Sequence, residues 1–157
     1  MNGRRRKKLA KRLVTAAYLG ELAEVRALLK AGAQPGTPNP DGTTPLYAAS
    51  VHGAADVVRV LLEAGAEPDV ESGHGDEGTP LCGAASWGHT ETVRALLEHG
   101  ADPALREDRG TGNTPLDWAA AGPHPDVLRL LTEAGAGAGA TQASTTPPTT
   151  TSGSAPA

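Results

Sequence analysis

The chain has 157 residues, of which 38% are hydrophobic and 3% aromatic, so we expect a core of Ala, Leu and Val between thin, closely packed helices. Its single cysteine, Cys82, excludes an intramolecular disulfide and a multi-cysteine metal site, and it is compatible with the cytoplasm, where we expect the protein. The formal net charge is −4 at pH 7, and no apolar run approaches the ~18–20 residues that cross a membrane, so we expect no membrane insertion.

The first predicted element is a basic N-terminal arm, residues 1–12 (Met1 to Arg12), which carries seven Lys and Arg and no acid. The remaining residues carry seven basic and eighteen acidic side chains, so the body would repel bare nucleic acid. Three interpretations of the arm stay open: a solvated helix start, a site for nucleic acid or an acidic protein surface, and a membrane-surface contact. We expect it not to be a signal peptide, because the apolar stretch 13–19 is interrupted by Gly20-Glu21 and lacks a cleavage site.

Four copies of one pattern follow this arm. An anchoring leucine recurs at intervals of 33, 35 and 35 residues, at Leu13, Leu46, Leu81 and Leu116. In the last three copies this leucine ends the tripeptide Thr-Pro-Leu, whereas the first copy has Lys-Arg-Leu. A glycine turn follows each anchor, and a second glycine closes the copy. A fixed period of this length indicates a stacked array of one structural unit.

The second copy shows what one unit predicts. Thr44 is a natural N-cap, and Pro45 occupies the first helical position, which needs no N–H donor. Gly53 ends this helix, and a second helix begins near Asp56. It buries one apolar face made of Val58, Leu61 and Leu62. Gly65 then offers the left-handed conformation that ends helices, and a polar hairpin-like loop leads to the next copy.

This pattern resembles the ankyrin repeat, in which two antiparallel helices follow a Thr-Pro-Leu signature. The resemblance covers roughly residues 9–136 and implies an all-α ankyrin-repeat solenoid of stacked helix-turn-helix units with hairpin-like loops. We predict an ankyrin repeat domain at 9–136 with repeats at roughly 9–38, 39–71, 72–106 and 107–136. The tail at 137–157 is rich in Thr, Ser, Pro and Ala, and we predict it to be disordered because it buries too little apolar surface.

Two departures from the family pattern affect what we expect. The family usually has a His after Thr-Pro-Leu that ties adjacent turns, but Tyr47, Cys82 and Asp117 stand there, so we expect fewer hydrogen bonds between repeats. The loops before the third and fourth signatures are two residues longer than a 33-residue period requires. The ends are polar where the inner copies are apolar, as caps require, with Lys-Arg in the first copy and Thr132 in the last.

The sequence contains no arrangement typical of catalysis. None of the five histidines pairs with another at i, i+4, so we expect no metal site. We interpret His89 as structural and Cys82 as a small packed thiol. Gly73-x-Gly75-x-x-Gly78 resembles a phosphate loop, but no strand precedes it and no lysine-bearing helix follows. We therefore expect no enzyme activity and no cofactor.

The resemblance implies a partner-binding surface along the concave groove and the loop tips. From the first helix of each copy we choose the groove candidates Tyr18, Val51, His52, Ser86, Trp87 and Trp118. From the loop tips we choose Asp41, Thr43, Asp76, Glu77, Arg109 and Asn113. We expect Trp87 and Trp118 to be neighbours. The alternatives are that Trp118 fills a gap beside small residues and that the loop-tip side chains are merely solvated.

These observations predict a monomeric, non-catalytic protein–protein interaction module, an adaptor or inhibitor whose partner the sequence does not identify. The alternative is a nucleic-acid-associated or acidic-partner-binding protein that is tethered by the basic arm. In that case nucleic acid would bind only through residues 1–12.

Overall fold

The computed structural model describes residues 2–142, and their side chains as far as residue 137. Residues 143–157 of the predicted tail lie outside this part. Within it the chain is helical, and its one β-bridge joins Ser72 to Gly78. The predicted all-α solenoid is confirmed.

Eight helices form four antiparallel pairs. The first helices of the pairs are α1 (Gly3–Leu19), α3 (Pro45–Val51), α5 (Pro80–Ser86) and α8 (Pro115–Ala120). The second helices are α2 (Leu22–Lys30), α4 (Ala55–Glu63), α6 (Thr90–Glu98) and α9 (Pro125–Gln142). A single turn, α7 (Glu107–Gly110), and a 3-10 turn (Gly73–Gly75) lie in loops. First helices pack on first helices and second helices on second helices, in chain order, so the molecule has two layers.

The first helices of the last three repeats begin as the sequence predicts. Thr44, Thr79 and Thr114 are the N-caps, and each hydroxyl oxygen accepts a hydrogen bond from the backbone N–H three residues later, at 3.1–3.2 Å. Each cap contributes on the order of 1 kcal/mol. A proline follows at the first helical position, and its fixed φ suits the helix.

A glycine lets each of the first three repeats turn from its first helix into its second. Gly20, Gly53 and Gly88 have φ of 70°, 70° and 72°, in the left-handed region that other residues avoid. The connection between the two helices is therefore only two or three residues long in these repeats. This short turn keeps the two layers close together.

The core lies between the layers and between successive repeats. Leu13, Leu46 and Leu81 are at most 2% exposed, and Leu61 and Leu96 in the second layer are fully buried. The fourth anchor, Leu116, is 39% exposed, and no further repeat covers it within the described residues. At this end Thr132 is also exposed, and its hydroxyl donates to the Leu128 carbonyl.

Hydrogen bonds between repeats are present, although the sequence led us to expect fewer of them. The N–H of Thr44 donates to Ser72 Oγ at 2.9 Å, and that of Thr79 donates to Glu107 Oε1 at 3.2 Å. Both acceptors lie 28 residues after the cap. In the last repeat no later loop exists within the described residues, and the carboxylate of Asp117 accepts the N–H of its own cap instead.

Histidines form a second set of bonds between repeats. His89 Nε2–H donates to the carbonyl of Val51 at 2.9 Å, and His124 Nε2–H donates to that of Ser86 at 3.1 Å. The structural role predicted for His89 is confirmed. Ala54 occupies the same position at the first interface between repeats and has no such donor.

Two predicted boundaries fall inside helices. Helix α1 begins at Gly3, so the basic residues of the predicted arm belong to the helix that packs into the first repeat. Leu9 and Ala10 are already buried there. At the other end α9 continues past residue 136 as far as Gln142. The domain boundaries at residues 12 and 136 remain predictions. The backbone is helical across residue 12, in α1, and across residue 136, in α9.

Candidate partner-binding groove

Three hairpins project from the layer of first helices. We call them finger 1 (residues 39–43), finger 2 (72–78) and finger 3 (107–113). Each is closed by a bond from the N–H of its first residue to the carbonyl of its last, at 2.9, 2.9 and 3.1 Å. Fingers 2 and 3 are two residues longer than finger 1, as the sequence predicts. We call the surface between the fingers and the first helices the groove.

The fingers stack on one another through backbone and carboxylate contacts. The N–H of Gly73 donates to the Gly42 carbonyl at 3.0 Å, which joins fingers 1 and 2. The N–H of Arg109 donates to Glu71 Oε1 at 3.1 Å, beside finger 2. Fingers 2 and 3 share one backbone conformation, since Gly73-His74 and Asp108-Arg109 all have φ between 51° and 63°. The groove wall is therefore continuous.

An apolar pocket of about 310 Å³ lies in the groove between the first two repeats. Its apolar lining comes from α1 and α3, and the fingers add its polar rim. Tyr18 and His52 meet at its mouth, with ring centroids 3.9 Å apart in an edge-to-face arrangement. We call this space the apolar pocket; its walls include Val14, Tyr47, Ala48 and Val51.

A second pocket of about 280 Å³ follows it along the groove. Four carboxylates line it, and we call it the acidic pocket: they are those of Asp76, Glu77, Glu107 and Asp108. Gly83 also lines it, and an added Cβ there would lie 2.9 Å from Val51 Cγ2. Tyr47 and Glu77 line both pockets, so the two are joined.

Glu107 is the most constrained of these carboxylates. It is 8% exposed, and its Oε1 accepts the N–H of Thr79 at 3.2 Å. Its Oε2 accepts the indole N–H of Trp118 at 2.6 Å. A charge-assisted bond of this kind is roughly twice as strong as a neutral one. Glu107 was not among the residues predicted from the sequence. Its spacing could have identified it, because it lies 28 residues after the cap Thr79, as Ser72 does after the cap Thr44.

Glu77 is held by two hydroxyl groups. Thr43 Oγ1 donates to its Oε1 at 2.8 Å, and Ser72 Oγ donates to its Oε2 at 2.7 Å. These donors are neutral, so the carboxylate is fixed in place while its charge is not cancelled. Glu77 therefore forms a rigid, negatively charged partition between the two pockets.

The groups around the acidic pocket show the effect of burial and of this negative charge. Burial, followed by the charges of Glu77 and Glu107, raises the pKa of Tyr47 above its ordinary value of 10.0. Burial raises the pKa of the Cys82 thiol to about 12, despite a hydrogen bond with Thr79 that acts the other way. The thiol is 1% exposed and protonated, which fits the packed role predicted for it.

The structure brings most of the predicted groove residues together. Those that line the apolar pocket are Tyr18, Thr43, Val51, His52 and Glu77. Those that line the acidic pocket are Asp76, Glu77, Ser86 and Trp118. Those that line neither are Asp41, Trp87, Arg109 and Asn113.

The remaining candidates have other surroundings. Trp87 is 65% exposed at the end of α5, and within residues 2–137 no ring contact joins it to Trp118, so their being neighbours stays a prediction. Asp41 and Arg109 are exposed finger residues, and the Asn113 carbonyl closes finger 3. Besides Glu107, the lining residues that were not predicted from the sequence include Val14, Thr15 and Tyr47.

The described residues contain no group of three His, Cys, Asp or Glu side chains placed to hold a metal ion. None of the helices described for this chain is both long and apolar enough to cross a bilayer. Three histidines, His89, His99 and His124, each bond a backbone carbonyl.

Comparison with known proteins bears on the repeats themselves. A family model described as Ankyrin repeats (3 copies) matches residues 9–72 and 68–142. The two matches together cover all four helix pairs except for residues 3–8 of α1. No curated protein matches the chain at a significant level.

Proposed function

The chain belongs to the ankyrin repeat family, and from that premise we propose that it is a non-catalytic adaptor or inhibitor that binds a protein partner through the groove. Members of this family are generally protein–protein interaction modules. They are typically scaffolds without catalytic activity. The family resemblance implies the groove as the binding surface, and the structure of this chain supports that part of the proposal.

The distribution of exposed apolar side chains carries the proposal. Within residues 2–137, six large hydrophobic side chains are exposed, and five of them belong to the first helices or to the residue that ends one. These five are Tyr18, Leu19, Trp87, Leu116 and Trp118. Aromatic side chains are enriched at the centres of protein interfaces and supply much of their binding energy.

The second helices present a different surface. Their exposed faces carry ion pairs such as Arg59–Asp56 at 3.4 Å and Arg94–Glu91 at 3.6 Å. Exposed pairs of this kind contribute roughly 0–1 kcal/mol and keep a surface solvated. The contrast between the two layers favours the first-helix side as the binding side.

The nucleophile and base that covalent catalysis needs are not side by side in the described residues. Cys82 is a buried, protonated thiol. His89 and His124 donate to backbone carbonyls between repeats, and the ring of His52 packs against Tyr18. An activated nucleophile requires a base within hydrogen-bonding reach, so this arrangement supports a binding role.

The test is affinity capture from cell extract with the wild-type chain and a double variant, Trp87→Ala with His52→Ala. Both side chains are exposed, so the variant retains the fold. The matched control is Arg26→Ala with Glu63→Ala, two exposed residues of the second helices. We expect a captured protein to be lost with the groove variant and kept with the control. Equal capture by wild type and groove variant would show that the groove is not the binding surface.

One observation favours a second candidate function, binding of an anionic partner by the start of α1. The five basic residues 4–8 are exposed, and in the part of the chain that the structure describes none of them forms an ion pair. Because Leu9 and Ala10 of the same helix are buried, deleting the arm would disturb the first repeat.

This candidate is tested by substitution. Changing residues 4–6 to Gln leaves the packed part of α1 intact. A fluorescein-labelled DNA duplex should bind the wild-type chain with an affinity that falls steeply with salt and should bind the variant more weakly. Salt-independent binding, or equal binding by the variant, would exclude this function.

A further inference from the structure

The groove combines two different chemical environments in one continuous surface. The apolar pocket is lined by aromatic and aliphatic side chains of α1 and α3, and the acidic pocket beside it is lined by four carboxylates. Tyr47 and Glu77 form the boundary between them. A ligand that spans both pockets must therefore be apolar at one position and suited to negative charge at the next.

The acidic pocket has no internal counter-charge. In the described part of the chain, none of its four carboxylates forms an ion pair with a basic side chain. The bonds to Glu77 and Glu107 come from hydroxyl, amide and indole donors, all of them neutral. The residues that line the pocket include no Lys, Arg or His. The negative charge of the acidic pocket is therefore available to a cationic group of a binding partner.

The aromatic rings at the pocket also suit a cation. Tyr47 and Trp118 both line it, and the face of such a ring attracts an ammonium or guanidinium group through its quadrupole. Each carboxylate it meets adds a charge-assisted hydrogen bond. A guest carboxylate or phosphate would instead face four like charges and no donor of opposite sign.

We infer that the groove binds an extended segment of a basic protein partner, with an apolar side chain in the apolar pocket and a nearby Lys or Arg side chain in the acidic pocket. This inference rests on the proposed function and adds the chemistry of the partner. The pockets hold about 310 and 280 Å³, so each has room for single side chains.

A second copy of the chain is the other basic occupant that the structure offers, through the exposed residues 4–8 of α1. Those residues lie on a rigid helix of 17 residues. An α-helix with its side chains is about 10–12 Å across, whereas these pockets, of about 310 and 280 Å³, have room for single side chains. A flexible segment can place neighbouring side chains in both pockets at once, so a separate partner fits the groove better.

The test is selection of random 12-residue peptides, displayed on phage, against the full chain. We expect the selected peptides to share a Lys or Arg within a few residues of a large apolar side chain. The dissociation constant of the best peptide is then measured by fluorescence anisotropy for wild type and for Asp76→Asn with Asp108→Asn. Both residues are exposed, and Asn tolerates the positive φ of 51° at position 108.

We expect the double variant to bind this peptide roughly tenfold more weakly, because it removes two of the four carboxylates. The matched control is Glu63→Gln with Glu98→Gln, which changes net charge equally at exposed positions on the second helices. Its affinity should equal that of the wild type. A Tyr18→Ala variant probes the apolar pocket in the same assay and should also bind more weakly.

The outcomes separate this inference from the proposed function. Selected peptides without basic residues that still lose affinity with Tyr18→Ala would overturn the partner's chemistry and leave the groove as the binding surface. Failure to select any peptide, or binding that neither variant weakens, would overturn both. Sedimentation that shows dimers of the wild type but monomers of Asp76→Asn with Asp108→Asn would identify a second copy as the occupant and overturn the inference.

Discussion

The indole N–H of Trp118 donates a 2.6 Å hydrogen bond to the buried carboxylate of Glu107. Through its other oxygen Glu107 holds the N–H of Thr79, so one side chain connects finger 3, the start of α5 and the start of α8. An acidic residue in a charged loop thus has a structural role, and the orientation of Trp118 depends on it.

Trp118→Phe keeps the ring and removes this N–H donor. We expect the free energy of unfolding to fall by about 1–2 kcal/mol, because a buried carboxylate oxygen loses its partner. Urea denaturation followed by circular dichroism measures the change. Trp87→Phe is the matched control, and since Trp87 is 65% exposed its effect should stay within about 0.5 kcal/mol. Equal effects of the two substitutions would contradict the role given to the bond.

The turn glycines allow the histidine bonds between repeats to be tested. Gly20 and Gly53 share a φ of 70°, but an added Cβ would lie 3.7 Å from Ala54 Cβ at Gly20 and 2.6 Å from His89 Nδ1 at Gly53. Gly20→Ala should therefore cost only the strain of the left-handed conformation, about 1 kcal/mol. Gly53→Ala should cost about 1 kcal/mol more, because it also displaces the hydrogen bond of His89.

Thermal unfolding of both glycine variants, each with and without His89→Ala, measures that difference. In the His89→Ala background, Gly20→Ala and Gly53→Ala should lower the stability by equal amounts. A gap that persists in the His89→Ala background would mean that the histidine is not its cause.

Within residues 2–137, two buried hydroxyl groups have no hydrogen-bond partner, those of Ser50 and Thr92. The repeats themselves show the apolar alternative, since Ala85 occupies the position of Ser50, and Val57 and Val127 occupy that of Thr92. Ser50→Ala and Thr92→Val should each stabilise the fold by about 1 kcal/mol. Each substitution removes a hydroxyl group that loses its hydrogen bonds to water on folding, and neither creates a large cavity. Denaturant midpoints that fall in both variants would show that these hydroxyl groups are bonded in solution.

Burial of the Cys82 thiol predicts a loss of stability in alkali. Its pKa is raised from 9.0 to about 12 in the folded protein, so above pH 9 the unfolded chain releases this proton while the folded chain keeps it. The unfolded state then binds fewer protons, and the stability falls as the pH rises from about 9 towards 12.

Urea midpoints at pH 8 and pH 9.5 measure this loss, and Cys82→Ala should show a smaller fall between them than the wild type. The higher pH, 9.5, lies below 10.0, the ordinary pKa of Tyr47, and burial raises the pKa of Tyr47 further. Tyr47 therefore contributes little to the loss of stability between pH 8 and pH 9.5. An equal fall in the urea midpoint for wild type and for Cys82→Ala would exclude the thiol as the cause.

Much of the fold follows from the sequence, because the features that define it are local and repeated. A threonine cap, a proline and a turn glycine recur at a fixed spacing, and the leucines between them, such as Leu61 and Leu96, must face the core. Those signals set where helices start and which face is buried. They identify the stacked architecture without any knowledge of long-range contacts.

The groove was less predictable, because its pockets form where separate repeats meet. Charged residues in a loop usually indicate solvent, so nothing local marks Glu107 as buried; only its contact with Thr79 of the preceding repeat explains it. The position of Trp118 follows from the same contact. Trp87 lies six residues after its anchor Leu81, whereas Trp118 lies two after Leu116; Trp87 has no such partner within the described residues, and it faces solvent.

The most direct measurement of the central claim is hydrogen–deuterium exchange of the full chain, alone and with the captured partner. Binding at the groove predicts slower exchange in the three fingers and in the first helices α3, α5 and α8, with little change in α2, α4 and α6. Protection confined to those second helices would contradict the claim that the groove is where this protein binds its partner.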